Sequence, residues 1–216
     1  MNMKVKTSLM AVAACFALSG CQSAYYGAWE KLGVEKRDIM VDRVENAKES
    51  QEDAQEQFAD ALEEFSALIN FDGDELEDVY DELNSEYQDS KAAAQEVSDR
   101  IDKVQSVADA LFSEWEDELT KYDSATLRRS SEEKLRATRR QYETMIKAMR
   151  KAESRMEPVL TALQDNVLYL KHNLNASAIG ALEGELKTIQ QNVSRLINEM
   201  KASVAESDAF IRAMKN

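Results

Sequence analysis

Apolar and small residues recur in alternating steps of three and four through most of this chain, a spacing that only a helix brings onto one face. The first series runs from about Asp38 to Ile69 through Val44, Ala47, Ala54, Phe58, Ala61, Phe65 and Leu68, with Gln51 in the missing place. Its flanking positions are mostly Glu, Asp, Gln and Lys, so the opposite face is wet. Phe71-Asp72-Gly73-Asp74 then stops the helix. Gly73 suits a left-handed C-terminal cap, and Asp72 or Asp74 can cap the next start. A second helix is predicted from about Glu75 to Tyr122, on the seam Tyr80, Leu83, Tyr87, Ser90, Ala94, Val97, Ile101, Val104, Ala108, Leu111 and Trp115. At 1.5 Å rise per residue it forms a rod of roughly 70 Å, which needs partners for its apolar stripe.

Tyr122-Asp123-Ser124-Ala125-Thr126 reads as the next turn. A third helix begins near Leu127 or after Ser130-Ser131-Glu132-Glu133, which has the form of a capping box. Its seam is Leu135, Thr138, Tyr142, Met145, Met149, Ala152, Met156, Val159 and Leu163, then, after a one-residue change of phase, Val167, Leu170 and Leu174. Pro158, the only proline, falls inside this pattern and predicts a kinked continuous helix or a break at Glu157-Pro158. Asn173, Asn175, Gly180 and Gly184 predict a helix end and an irregular turn over residues 173–184. The last helix is then placed at about Glu185 to Met214, on Leu186, Ile189, Val193, Leu196, Met200, Ser203, Ser207, Ile211 and Met214. These seams predict an all-α fold: an elongated antiparallel coiled-coil bundle of three to four long helices, with the second and third as its spine.

The start of the chain has a different pattern. Lys4 and Lys6 precede an apolar run from Leu9 to Leu18, broken only by small residues. This is the charged start and apolar centre of an export signal, and the run is too short to span a bilayer as a helix. Leu18-Ser19-Gly20-Cys21 resembles the lipobox of bacterial lipoprotein signals, in which the cysteine becomes the lipidated first residue. The resemblance implies a signal peptide over 1–20, acyl attachment at Cys21 and a membrane tether, followed by an anchor-proximal linker over 21–37 and a helical domain over 38–216. Gln22, where an aspartate would favour the inner membrane, implies the periplasmic side of the outer membrane by resemblance to the sorting rule of enteric-type bacteria. In the linker Tyr25, Tyr26 and Trp29 suit either the headgroup level or a satellite core against the first helices.

Charge narrows the partners. The formal charge is −14, and the only charges ahead of Cys21 are Lys4 and Lys6, so the exported part is more acidic still. That argues against nucleic acid as a partner, since a phosphate backbone needs local positive charge. Between Glu35 and Asp89 there are 20 acidic and 4 basic residues, whereas residues 128–155 hold 10 basic ones, among them Arg128, Arg129, Arg139, Arg140, Arg150 and Lys151. The plain explanation sets a basic third helix beside the acidic first two. The functional alternative makes those six residues contacts for a phosphate-bearing lipid head, a cell-wall carboxylate or an acidic partner.

Catalytic chemistry finds little material. Cys15 and Cys21 are the only cysteines and His172 the only histidine, so neither a zinc set nor a histidine-centred triad is in prospect, and no phosphate-binding glycine loop occurs. Glu49/Asp53, Glu52/Glu56, Asp60/Glu63 and Asp78/Glu82 are ordinary products of an acidic helix face, and no Glu-x-x-His motif accompanies them. Met145, Met149 and Met156 belong to a core seam. The lipobox, the Phe71–Asp74 turn and the long seams together resemble an uncharacterised family of proteobacterial helical lipoproteins. The reading that follows is a noncatalytic, lipid-anchored periplasmic structural or adaptor protein that binds another envelope component. It has no cofactor or metal, and self-association is left open. The alternative is a binding protein for a lipid head group or cell-wall ligand through the third helix.

Overall fold

In the computed structural model the described residues are 35–69, 76–173 and 176–215. They form four helices: α1, Lys36–Ile69; α2, Leu76–Leu119; α3, Ala125–His172; and α4, Ala176–Lys215. α1 packs on α2 and α4, and α3 packs on the same two. The helices therefore close a ring in chain order, with α1 and α3 on one diagonal and α2 and α4 on the other. There is no central spine of second and third helices; each helix lies between two neighbours.

The predicted seams fill the space between the helices. Val44, Ala47, Ala54, Phe58, Ala61, Phe65 and Leu68 of α1 are buried, as are Val97, Ile101, Val104, Ala108 and Leu111 of α2. Met145, Met149 and Met156 of α3 and Ile189, Val193, Leu196 and Met200 of α4 meet them. The core is wider than a two-residue heptad seam. Val107 and Phe112 flank the α2 seam, and Ile39, Met40, Leu182 and Phe210 extend those of α1 and α4. A helix with a partner on each side buries a broader stripe than a helix in a two-stranded coil.

Several boundaries differ from the sequence expectation, and α2 ends at Leu119, not Tyr122. α1 begins at Lys36, two residues earlier. α3 begins at Ala125 rather than at Leu127 or after Ser130: Ser124 is its N-cap, and its hydroxyl accepts the Leu127 N–H at 3.4 Å. α4 begins at Ala176, not Glu185, so Gly180 and Gly184 are helical residues and not part of a turn. Glycine costs a helix only about 1 kcal/mol relative to alanine, and burial of Leu182 between the two glycines offsets that. α3 runs unbroken through Pro158, whose side is exposed, so the carbonyl that it deprives of a partner is on the water side. The Phe71–Asp74 turn, Leu174 and Asn175 lie outside the described residues.

Candidate functional site

The basic residues of α3 divide into three sets by where the helix points them. On the flank facing α2, Arg139 bonds Glu116 at 2.8 Å and stacks its guanidinium 5.0 Å from the Phe112 ring centre. Arg150 bridges to Asp102 and Gln105 of α2 and to Glu153 of its own helix. Partial burial opposes the charge of Arg150, but the hydrogen bonds to Asp102 and Glu153 more than offset this and push its pKa up. On the flank facing α4, Lys151 pairs with Glu199 at 2.8 Å. Arg128 pairs only along its own helix, with Glu132 at 3.7 Å. Arg129 and Arg140 are exposed and have no ion pair among the described residues. Exposed pairs of this kind contribute about 0–1 kcal/mol each, so their value is in selecting register more than in stability.

The sequence expectation that α3 lies beside both acidic helices holds for α2 alone. α3 sits diagonally across from α1, and its other neighbour is α4. α1 instead reaches its neighbours with its own cations, Lys36 to Glu114 of α2 at 3.0 Å and Lys48 to Asp208 of α4 at 2.9 Å, and receives one, Lys215 of α4 at Glu45, at 2.7 Å. The α1–α2 contact stays acid against acid at one level. Partial burial, then the charges of Glu82, Glu86 and Glu63, push the Glu64 carboxyl above its usual range.

A cleft of about 710 Å³ lies at the end of the bundle where α1 starts. It forms because the hairpin of α2 and α3 runs on past the beginning of α1 and the end of α4. Its walls are Leu111, Trp115, Tyr122 and Leu127 on the hairpin and Lys36, Arg37 and Met214 on the other two helices. The Trp115 indole N–H donates to Ser131 Oγ at 2.8 Å and ties the hairpin together there. Tyr122 and Leu127 are 39 % and 60 % exposed, the largest apolar exposure at this end. No sequence pattern marks this cleft, since it arises from unequal helix ends and not from a motif. Tyr25, Tyr26 and Trp29, like the lipobox with Cys21, lie outside the described residues, but the chain enters the bundle here, at Glu35 on the cleft wall.

Around this cleft the chemistry is that of packing. Tyr142 stands edge-on to Phe112 and Phe210, with ring centres 5.4 and 6.5 Å away. Burial, reinforced by the Asp109 charge, pushes its phenol up to about 12. His172 is exposed in the last turn of α3. Among the described residues no three His, Cys, Asp or Glu side chains converge as a metal-binding group would, and the four carboxylate pairs singled out in the sequence are all exposed. No described helix is long and apolar enough to cross a membrane.

A closed ring of four antiparallel helices with a packed core defines the class, an all-α helical bundle. The chain belongs to the DUF2959 family of proteins of unknown function, whose model matches residues 25–214. No curated protein and no solved structure matches the chain.

Proposed function

We propose that this protein is a noncatalytic, lipid-anchored adaptor held by acylated Cys21 on the periplasmic side of the outer membrane. Its bundle serves as a spacer that presents the cleft at the α2–α3 hairpin end to another envelope protein. The observation that supports this reading most is the cleft itself: it is open, it sets exposed Tyr122 and Leu127 with Leu111, Trp115 and Met214 among charged side chains of both signs, and it lies at the end where the chain enters the bundle at Glu35. A small-ligand site more often takes the form of an enclosed pocket with convergent polar groups. Here Lys36 is already engaged by Glu114, and Trp115 donates to Ser131. The alternative, a head-group or cell-wall ligand on the basic third helix, is left with Arg129 and Arg140 of its six named contacts, because Arg128, Arg139, Arg150 and Lys151 are paired within the molecule.

The test is photocrosslinking in cells, from positions 127 and 118 in the cleft and from position 85 on the outer face of α2. The full chain, a Leu127→Asp variant and an unlipidated Cys21→Ala variant are compared. The adaptor reading expects one envelope protein, recovered from the cleft positions alone and lost with either variant. Labelling of the same proteins from position 85, or recovery only of the chain itself, would overturn it.

A further inference from the structure

Arg129, Arg140 and Lys147 fall on one line of α3 by the 3.6-residue turn, opposite the buried Met145, Met149 and Met156. All three are exposed, and none has an ion pair among the described residues. Arg136 lies on the same line, held by Glu132 at 3.9 Å, while Glu133 and Glu143 interrupt it without reversing its sign. α1 has the complement. Its face away from the core is a run of exposed carboxylates that begins at Asp42 and Glu45, paired with Arg43 and Lys215, and continues through Glu49, Asp53, Glu56, Asp60 and Glu63, which have no ion pair among the described residues.

The ring places these two faces back to back. α1 and α3 share a diagonal and point outward in opposite directions, so one molecule cannot bring them together. They are, however, at the same height. Lys48 of α1 is tied to Asp208, and Phe210, half a turn further along α4, touches Tyr142 of α3. The level of Lys48 is thus close to that of Thr144. Arg136, Arg140 and Lys147 then lie level with the stretch from Met40 to Gln51, where Asp42, Glu45 and Glu49 are exposed on α1; Arg129 lies below the start of α1, and the rest of the acidic run lies level with α3 beyond Lys147. α1 and α3 also run in the same direction, as alternate helices of an antiparallel ring.

We propose that the basic face of α3 docks on the acidic face of α1 in a second copy of this chain, the two copies standing side by side in the same orientation. Because the two faces are on opposite sides of each molecule, the contact is heterologous: each copy keeps a free α1 face at one side and a free α3 face at the other. Such a contact repeats by translation into a row instead of closing as a two-fold dimer. Equal height and equal direction are what copies held at the same end of the bundle present to one another, although the charge geometry does not depend on lipidation. The contact is a short-range one. At physiological salt the net negative charge of each copy is screened beyond about 8 Å, which leaves the facing stripes to decide the fit.

The test uses a zero-length carbodiimide crosslinker, which joins a lysine to a carboxylate in direct contact. It is applied to membranes with the full chain at native level, and the joined peptides are identified by mass spectrometry. Lys147 and the α1 carboxylates are on opposite outer faces of one bundle, so a bond between them reports two copies. The expected result is a dimer band with Lys147 joined to Glu49, Asp53 or Glu56, reduced at least tenfold at 1 M salt. Arg136→Glu/Arg140→Glu and Asp42→Lys/Glu49→Lys, which stand level with each other, should each lose the band alone and recover it when the two are coexpressed, since each then meets an oppositely charged face. All four positions are exposed, and unchanged helical circular dichroism would verify the fold. Failure of the mixture to recover the band, persistence of the band in either variant alone, or α3 that labels anionic vesicles and never a second copy would overturn the proposal. Cys21→Ala separates this from the adaptor reading: the purified unlipidated protein keeps salt-sensitive self-association even where every envelope partner is lost.

Discussion

Gln51 places an amide in the centre of the core, at a position where a seam normally has a hydrophobe. Its carbonyl accepts the Ser203 hydroxyl at 2.7 Å, joining α1 to α4, but among the described residues its Nε2 donor finds no partner, and neither does the buried Ser90 hydroxyl. An unsatisfied buried donor costs about 1–3 kcal/mol, while a polar seam residue can fix register between helices. Gln51→Met with Ser203→Ala is therefore expected to raise stability by about 1–3 kcal/mol in urea unfolding. The same pair should broaden the amide NMR spectrum if register is the amide's role. Tyr142 gives a pH signature. Its phenol ionises near 10 in an unfolded chain and only at about 12 in the fold. The fold thus favours the protonated form: the contribution is complete below pH 10 and is lost as pH rises toward 12. Unfolding followed from pH 9 to 12 should show this decline, and Tyr142→Phe should flatten it. Glu64 has the same sign at lower pH, so Glu64→Gln is expected to raise the melting temperature slightly at pH 7 and to leave it unchanged at pH 4. Most buried positions could be read from the three-four spacing. Phe112 and Phe210 could not, because they lie beside the seam and are buried only when a helix has a neighbour on each side.

The start of α4 shows how far element boundaries can be read from sequence. Asn175, Gly180 and Gly184 signal a turn, and the local propensity is real, but α4 carries Gly180 and Gly184 within a helix that starts at Ala176. Tertiary burial of Leu182 decides the matter. Neither glycine has an atom within 4 Å of where a Cβ would stand. Gly180→Ala and Gly184→Ala are therefore each expected to stabilise the protein, by about 0.5–1 kcal/mol, seen as an upward shift of the denaturant midpoint. A loss of stability in both would mean that the segment is not helical. At Pro158 the uninterrupted seam from Met156 to Val159 and Leu163 was the better guide, and the helix continues. Ser124 could be seen as part of a turn, but its role as N-cap could not, because the competing capping box at Ser130 had the stronger local pattern.

For the whole molecule, sequence supplied the helices and the charge bias but not the diagonal. A chain with four seams can close in more than one order, and periodicity is blind to which helices become neighbours. Charge alone therefore sets the basic third helix beside both acidic helices, whereas the ring brings it to α2 and turns its outer face away from α1. The cleft was equally invisible, since it depends on where four helices end relative to one another. The address, by contrast, rests on residues 1–22 and stands or falls with the covalent state of Cys21. That state is also the most direct test of the account: intact-mass spectrometry of the protein extracted by detergent from the membrane fraction of cells that make the full chain. The account predicts a polypeptide that begins at Cys21 and has the added mass of its acyl chains. A chain that keeps Met1, or begins elsewhere without added lipid, would contradict it.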